Sequence, residues 1–349
     1  MSARRPWARP LVPLYAAALG LKDWLRRAGM LRVRALQWPV VSVGSLSAGG
    51  AGKTPVVIAL ARLLHEAGWA VDVLSRGYGR EGRGVEEVRP GVDRSAVRFG
   101  DEPVLIAQQT DVPVWVGADR FAVGVRAEAS AASSLRGVHL LDDGFQHRGL
   151  ARTIDIVLVT AKDLGDTMLP AGNLREGLSA LQRADVVVVR ENEVSAEAGD
   201  KSVSKRVWEL LRERGQMWTV RRSLRFPAPL RVFGAGLRPV AFCAIARPEN
   251  FAAMLQDAGC GVVETVAFPD HHRYMKADIE RVVEVAKSVN GSGFVTTEKD
   301  AVKLTAAMRE LLEQHGPLMV VALEAEFADP QAVLRALEAK LTAAEARTR

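Results

Sequence analysis

The feature that most constrains this chain is a glycine-rich segment at residues 42–54, between an apolar run and a helical pattern. It reads SVGSLSAGGAGKT. A short strand, a glycine-rich loop and a Lys-Thr pair that opens a helix together form the loop that holds nucleotide phosphates. Glycine allows backbone N–H groups to turn inward around an anion, because no Cβ blocks the approach. The predicted nucleotide-binding residues are Ser47, Gly49, Gly50, Ala51, Gly52, Lys53 and Thr54.

The loop departs from the general pattern G-x-x-x-x-G-K-[ST] at one position, where Ser47 replaces the first glycine. Serine can still make the turn, and the strand and helix context is present. Lys53 is expected to reach the β- and γ-phosphates, and Thr54 to offer its hydroxyl to Mg²⁺. The alternative, a plain glycine-rich turn, leaves Lys53 and Thr54 without a purpose.

The alternation of predicted strands and helices indicates an α/β protein with a parallel sheet. At 349 residues the chain is long enough for two domains. We predict a P-loop NTPase-like domain at 35–220, linker strands at 221–238 and a smaller α/β domain at 239–349 that contributes to the active-site cleft. The two cysteines fit neither a disulfide framework nor a zinc site, which favours a reducing compartment.

Positive charge is concentrated in the N-terminal 34 residues. They contain eight Lys or Arg and one Asp, whereas the whole chain has a formal net charge of +6, so the remainder is close to neutral. Nucleic-acid binding by the body of the protein is therefore not expected. Within this region Leu14, Ala18, Leu21 and Leu25 recur at helical spacing, with Trp24 beside them.

Three interpretations of this arginine-flanked apolar segment compete. A secretory signal would separate the phosphate loop from its nucleotide. An ordinary first helix packed on the body remains open. We favour the third, an amphipathic helix within residues 1–34 that lies on an anionic membrane surface. The segment is shorter than the roughly 20 apolar residues that a spanning helix needs.

A predicted strand at 138–143 ends in paired acids. An apolar strand that ends in Asp, downstream of a phosphate loop, is where such folds hold Mg²⁺. Two adjacent carboxylates repel each other unless a cation is near. Asp142 and Asp143 are therefore the predicted metal ligands, together with Thr54.

Polar residues at other strand ends are candidates for substrate binding, because ligands collect at the carboxyl ends of parallel strands. A solvated turn is the alternative for the cluster at 75–80. The predicted substrate-binding residues are Arg76, Tyr78, Arg80, Arg120, Gln146, Arg175 and Glu176.

Phosphoryl transfer to an alcohol needs a group that takes the hydroxyl proton. Asp101 lies on the rim of the first domain, and His271 follows Asp270 in a loop of the second that could face the same cleft. A histidine hydrogen-bonded to a carboxylate would form a basic dyad. Helix capping by Asp101 and a plain loop role for His271 remain the alternatives.

Seven motifs in order resemble the tetraacyldisaccharide 4'-kinase family of lipid A synthesis. They are SAGGAGKTP at 47–55, SRGYGR at 75–80, GDEP at 100–103, DDGFQH at 142–147, LRE at 174–176, FPDHH at 268–272 and TTEKD at 296–300. The family also carries Ser or Thr where the general phosphate-loop pattern has glycine. The chain departs from it at 246–248, where ARP stands in place of a Gly and Asn before Pro.

The resemblance implies transfer of the ATP γ-phosphate to the 4'-hydroxyl of a membrane-borne tetraacylated glucosamine disaccharide 1-phosphate. It implies ATP and Mg²⁺ as cofactors, Lys53 on phosphate, and Asp101 with His271 as the base dyad. It also implies Glu176 near the site and peripheral or monotopic attachment to the cytoplasmic face of the inner membrane, where the surface is anionic. No obligate protein partner is inferred.

Two other classes are alternatives to a lipid kinase. A partition-type ATPase would need a second lysine in the loop, where Ala48 stands. A GTPase would need a guanine-recognition motif, whose residue types occur at 297–300 with the wrong spacing. Either would hydrolyse a nucleotide without a lipid acceptor.

Overall fold

The computed structural model describes residues 5–91, 95–131, 136–195, 203–211, 213, 215–227 and 238–348. In these ranges the strands are β1 (Val40–Ser45), β2 (Ala70–Ser75), β3 (Glu86–Glu87), β4 (Val114–Val116), β5 (Gly137–Asp142), β6 (Ile154–Leu158), β7 (Val186–Arg190), β8 (Gln216–Arg225), β9 (Pro239–Cys243), β10 (Glu264–Ala267), β11 (Gly293–Thr297) and β12 (Leu318–Phe327).

The helices of the described ranges are α1 (Val12–Arg27), α2 (Lys53–Glu66), α3 (Ser95–Phe99), α4 (Asp101–Gln109), α5 (Arg120–Ser130), α6 (Ala161–Leu164), α7 (Glu191–Ser195), α8 (Val203–Leu210), α9 (Pro248–Asp257), α10 (Lys276–Ser288), α11 (Glu298–Ala301), α12 (Ala306–Glu313) and α13 (Pro330–Thr348). Two 3₁₀ helices cover Pro6–Leu11 and Leu178–Arg183. The predicted α/β class is confirmed.

One sheet contains all of these strands, in the order β10-β9-β11-β12-β8-β7-β6-β1-β5-β2-β4-β3. The strands from β8 to β4 form a first parallel set, and β3 closes its edge in antiparallel orientation. The strands from β10 to β12 form a second parallel set. The two sets follow one another along the chain, as the predicted domains do.

β8 and β12 connect the two sets. β8 pairs in parallel with β7, and its second half pairs antiparallel with β12, with Val220 opposite Phe327 and Arg225 opposite Ala322. The start of β12 pairs in parallel with β11. The second half of β8 therefore extends beyond the carboxyl ends of the other strands of the first set. β12 begins in the second set and runs toward the same ends. As a result, the carboxyl ends of both sets face a common space.

This connection bears on the predicted linker at 221–238. Residues 221–225 belong to β8 and are part of the sheet. Residues 228–237 of the predicted linker, like residues 1–4 of the predicted N-terminal region, lie outside the described residues. The exact domain limits stay a prediction.

The phosphate loop lies between two well-packed elements. β1 is buried along its whole length, and α2 presents Val57, Leu60 and Leu64 to the same apolar cluster as Val41 and Val43 of β1. Burial of each of these side chains stabilises the fold by about 2 kcal/mol. The strand and the helix therefore hold both ends of the loop in place.

α1 has no buried residue. It contacts the body through a few polar groups: the Tyr15 hydroxyl donates to the carbonyl oxygen of Arg175 at 2.9 Å, and Asp23 pairs with Arg148. Its apolar side chains Leu14, Leu21 and Trp24 are 70%, 58% and 60% exposed. Among the described helices, none is both long and apolar enough to cross a membrane.

A buried histidine joins three elements of the first set. His139 of β5 places Nδ1 2.6 Å from Asp72 Oδ1 on β2 and Nε2 3.2 Å from Glu128 Oε1 on α5. Burial lowers the pKa of His139, but the two carboxylates, Asp72 first, outweigh burial and raise it to about 9. The pKa of Asp72 is also raised, because burial outweighs the charge of His139 and the hydrogen bond between the two side chains.

The protonated His139 therefore stabilises the folded state. Because its pKa is raised on folding, this contribution is complete below the ordinary value of 6.5 and is lost as the pH rises through about 9.

We expect His139→Gln to lower the free energy of unfolding by about 3 kcal/mol, because Asp72 then stays buried without a cationic partner. Urea denaturation followed by circular dichroism measures this loss. Adding Asp72→Asn should restore part of the stability, since it removes the unpaired charge. A double variant no more stable than the single one would contradict this account.

Candidate active site

A cleft of ≈ 920 Å³ lies where the carboxyl ends of the two parallel sets face each other. The first set contributes the phosphate loop and residues that follow β2 and β5. The second contributes residues that follow β9, β10 and β11, and part of β12. Groups far apart in the chain, such as Lys53 and His271, therefore line one space.

The phosphate loop has the backbone that a nest of N–H groups requires. Gly49, Gly50 and Gly52 have positive φ angles of 79°, 69° and 90°, and α2 begins immediately afterwards. Ser47 lies outside the left-handed region and is buried, with Leu174 as its bridge partner. A Cβ therefore costs nothing at Ser47, which explains why serine can replace glycine there.

Lys53 and Arg175 hold Asp143 from two sides. Lys53 Nζ lies 3.3 Å from Asp143 Oδ1 and 3.3 Å from Ser45 Oγ. Arg175 Nη1 lies 2.9 Å and 2.7 Å from the two carboxylate oxygens of Asp143. Burial raises the pKa of Asp143, but Lys53 and then Arg175 outweigh it, so the pKa lies below its ordinary value. Asp143 is therefore charged at neutral pH.

Asp142 has the opposite character. Ser75 Oγ donates to its Oδ2 at 3.0 Å, whereas its buried Oδ1 has no hydrogen-bond partner among the described residues. Burial, followed by the charges of Glu102 and Asp143, raises the pKa of Asp142 to about 7. An unpartnered carboxylate oxygen beside a second carboxylate is an arrangement that a cation would satisfy.

The donor set fits Mg²⁺. Thr54, in the first turn of α2, lines the same cleft as Asp142 and Asp143. In the described part of the chain, no group of three or more His, Cys, Asp or Glu side chains could hold a metal by itself. Mg²⁺ is usually bound by one or two carboxylates together with substrate phosphates, so this number of protein ligands is the expected one.

Asp101 and His271 meet across the cleft. His271 Nδ1 lies 3.0 Å from Oδ2 and 3.3 Å from Oδ1 of Asp101. Asp101 opens α4, whose N-cap position is taken by Gly100, and His271 follows β10 with a positive φ of 59°. The ring of Tyr78 lies 5.3 Å from the imidazole of His271. The structure therefore brings the two predicted members of the dyad into contact.

The contact changes the acidity of both groups. Burial raises the pKa of Asp101, but the hydrogen bond from His271 and the charge of Lys299 outweigh it and lower the pKa to about 2. The same hydrogen bond raises the pKa of His271 against burial and the charge of Lys299. The dyad is thus a carboxylate bonded to an imidazole of increased basicity, and it takes up a proton as a unit.

Five of the predicted substrate-binding residues line the cleft: Arg76, Tyr78, Arg120, Gln146 and Arg175. Arg120 donates to the carbonyl oxygen of Ala118 at 3.0 Å and keeps a buried Nε without a partner. Gln146 donates to the carbonyl oxygen of Ser45 at 3.0 Å, which fixes it beside the phosphate loop.

The other two lie outside the cleft lining. Arg80 forms an ion pair with Glu86 at 3.5 Å, and Glu176 forms one with Arg183 at 2.9 Å. Both therefore have local partners, and their contact with substrate stays a prediction.

Comparison with known proteins assigns the family. The profile of the family described as LpxK, tetraacyldisaccharide-1-P 4'-kinase, matches residues 4–342. The chain belongs to this family. A tetraacyldisaccharide 4'-kinase from Koribacter versatilis is 40% identical over 332 residues, which are 93% of this chain and 96% of the relative. Another from Syntrophus aciditrophicus is 41% identical over 293 residues, 78% of this chain and 76% of the relative.

A solved structure from the same family has the same fold. The crystal structure of the "apo" form of LpxK from Aquifex aeolicus in complex with ATP matches with a TM-score of 0.74 and 29% identity. The match covers 96% of this chain and 98% of that chain. The resemblance noted from the seven motifs is confirmed.

Some residues of the site were given no role in the sequence analysis. Lys299, at the start of α11, places Nζ 3.0 Å from Glu102 Oε1, 3.6 Å from Asp270 Oδ1 and 3.9 Å from Asp101 Oδ2. Its position directly after a buried strand is the signal that could have revealed it. Two arginines, Arg222 and Arg247, also line the cleft. Arg222 lies within a strand, where no local pattern indicates a ligand.

We expect Asp101→Asn to shift the acidic limb of the pH profile of kcat toward lower pH, besides lowering kcat. The hydrogen bond to the Asp101 carboxylate is the main cause of the raised pKa of His271, so its loss lets the imidazole titrate nearer its ordinary value of 6.5. Initial rates measured across pH test this. If the acidic limb of the kcat profile lay at the same pH in Asp101→Asn as in the wild type, the dyad would not be what controls it.

Proposed function

We propose that the chain transfers the γ-phosphate of ATP to the 4'-hydroxyl of a tetraacylated glucosamine disaccharide 1-phosphate. The observation that carries this proposal is the meeting, in one cleft, of a phosphate loop with Lys53 and a carboxylate–imidazole dyad, Asp101 and His271. A protein that hydrolyses a nucleotide as a switch would need the phosphate loop but not the carboxylate–imidazole dyad. The family to which the chain belongs supports the choice of acceptor.

Each group has a defined task in this reaction. The loop N–H groups and Lys53 hold and neutralise the phosphates, and the partial positive charge of the α2 N-terminus adds to their effect. The oxygen of the acceptor hydroxyl forms a bond to the γ-phosphorus, and the bond from that phosphorus to ADP breaks. The hydroxyl proton passes to the Asp101–His271 pair. Asp142, Asp143 and Thr54 would hold Mg²⁺, which neutralises charge on the transferred phosphoryl group.

The basic rim of the cleft suits an acceptor that carries a phosphate of its own. Arg76, Arg120 and Arg175 lie on the first-set side of the cleft, and Arg120 keeps an unpartnered buried Nε. Guanidinium groups bind phosphate through paired hydrogen bonds. We assign this rim to the disaccharide 1-phosphate.

The acceptor is a lipid, and α1 gives the protein a means of reaching it. Leu14, Leu21 and Trp24 of α1 are exposed, and Lys22 and Arg27 are exposed on the same helix. Exposed apolar and cationic side chains on one helix suit attachment to an anionic bilayer surface. We place the protein at the cytoplasmic face of the inner membrane, attached without a spanning segment.

The acceptor assignment is tested by phosphoryl transfer from labelled ATP, with and without the tetraacylated disaccharide 1-phosphate. We expect a labelled lipid product and ATP turnover that depends on the acceptor. Lys53→Ala should lower the rate by at least about a hundredfold, because charge on the transferred group then lacks a cation. ATP turnover equal with and without the lipid would refute the kinase proposal in favour of a nucleotide switch.

Membrane attachment is tested by co-sedimentation with vesicles that contain anionic lipid. We expect Leu21→Asp to weaken binding by about tenfold or more, since a buried leucine contributes about 1.5 kcal/mol or more. Trp208→Asp is the matched control, because Trp208 is a 52% exposed tryptophan on a different helix, α8. Equal binding by the wild type and Leu21→Asp would return α1 to a purely structural role.

A further inference from the structure

Three arginines lie together beside the phosphate loop, on the side away from Asp142 and Asp143. Arg190 ends β7, Arg222 lies in β8, and Arg247 precedes α9 in the second parallel set. In the sheet β7 and β8 lie on one side of β1 and β5 lies on the other, so the loop after β1 separates acids from arginines. We call these three residues the arginine cluster.

One member of the cluster already has partners. Arg190 Nη2 lies 3.3 Å from the carbonyl oxygens of both Gly50 and Ala51, and its Nη1 lies 3.5 Å from Glu193 Oε1. By holding two loop carbonyls outward, Arg190 favours the orientation in which the neighbouring N–H groups face an anion. Arg190 is thus a positioning residue for the loop.

The other two members, Arg222 and Arg247, lie next to glycines of the phosphate loop. A Cβ at Gly50 would lie 2.9 Å from Arg247 Nε, and one at Gly52 would lie 3.6 Å from Arg222 Nη1. The absence of a side chain at Gly50 therefore lets Arg247 approach as well as permitting the positive φ. Within the described residues, neither Arg222 nor Arg247 has a side-chain hydrogen bond or ion pair, and Arg222 Nε is buried.

The cluster is short of negative charge. Two carboxylates, Glu193 and Asp163, act on Arg190, and Glu193 is already paired with it. Burial, followed by the charges of Arg190 and Arg247, lowers the pKa of Arg222 to about 10. Like charges held close together in a partly buried place are unfavourable until an anion neutralises them. The geometry therefore calls for a strongly anionic ligand next to Gly50 and Gly52.

We propose that Arg222 and Arg247 bind the polyphosphate of ATP, and that Arg247 is a phosphate ligand supplied by the second parallel set. This rests on the proposed function, in which the same glycines hold that polyphosphate. Guanidinium groups form strong, paired hydrogen bonds with phosphate oxygens. The nucleotide would then be held by cations on one side of the loop and by Asp142 and Asp143, through Mg²⁺, on the other.

The test compares wild type, Arg247→Ala and Arg247→Lys without any lipid, by displacement of a fluorescent ATP analogue with ATP, ADP and inorganic tripolyphosphate. We expect Arg247→Ala to weaken ATP and tripolyphosphate binding by at least about tenfold. Arg247→Lys should keep part of the affinity, because it keeps the charge. Arg281→Ala is the matched control, since Arg281 is exposed on α10.

Thermal unfolding separates phosphate binding from a structural role. Without nucleotide, Arg247→Ala should melt at or above the wild-type temperature, because it removes a repelling charge, whereas its stabilisation by added ATP should be smaller. A lower melting temperature without nucleotide together with an unchanged ATP shift would overturn the proposal. So would wild-type ATP affinity in Arg247→Ala, whereas failure of the wild type itself to bind ATP would overturn the proposed function instead.

Discussion

The antiparallel pairing of β8 with β12 determines how the rest of the molecule is arranged. Over residues 220–225 and 322–327 it reverses the direction of the sheet, so that two parallel sets meet with their carboxyl ends opposed. Loops at the carboxyl ends of parallel strands carry ligand-binding groups. Two such ends therefore enclose one cleft, and a histidine from residue 271 can reach a carboxylate at residue 101.

The charges of the cleft are separated by the phosphate loop. Among the residues that the structure describes, Asp142 has an oxygen without a partner on one side, next to Asp143, and Arg222 and Arg247 have no carboxylate partner on the other. Lys53 lies between them, paired with Asp143 at 3.3 Å. Each side is unfavourable by itself and complementary to a metal-bound polyphosphate. Binding of such a ligand would relieve the unfavourable charges of the free protein, and this relief adds to the binding free energy.

Local sequence was sufficient to locate the loop and the strand-end acids, because each is a short motif directly after a buried strand. The Asp101–His271 contact could be preferred over its alternatives only through a family resemblance, since 170 positions separate the two residues. The position of Arg222 in the cleft could not be predicted, because it depends on how β8 extends from the first set to the second, which no local sequence pattern indicates. Arg80 and Glu176 form ion pairs with nearby residues outside the cleft lining, so sequence position alone did not indicate which polar residues line the cleft.

The contact of Tyr15 with the backbone of Arg175 has a consequence for how a lipid substrate would be found. It connects α1 to the segment that carries Arg175, whose guanidinium pairs with Asp143 at the rim of the cleft. Under the proposed function, a protein attached through α1 holds its cleft at a fixed height above the headgroups. The search for substrate then takes place along the membrane surface, in two dimensions instead of three.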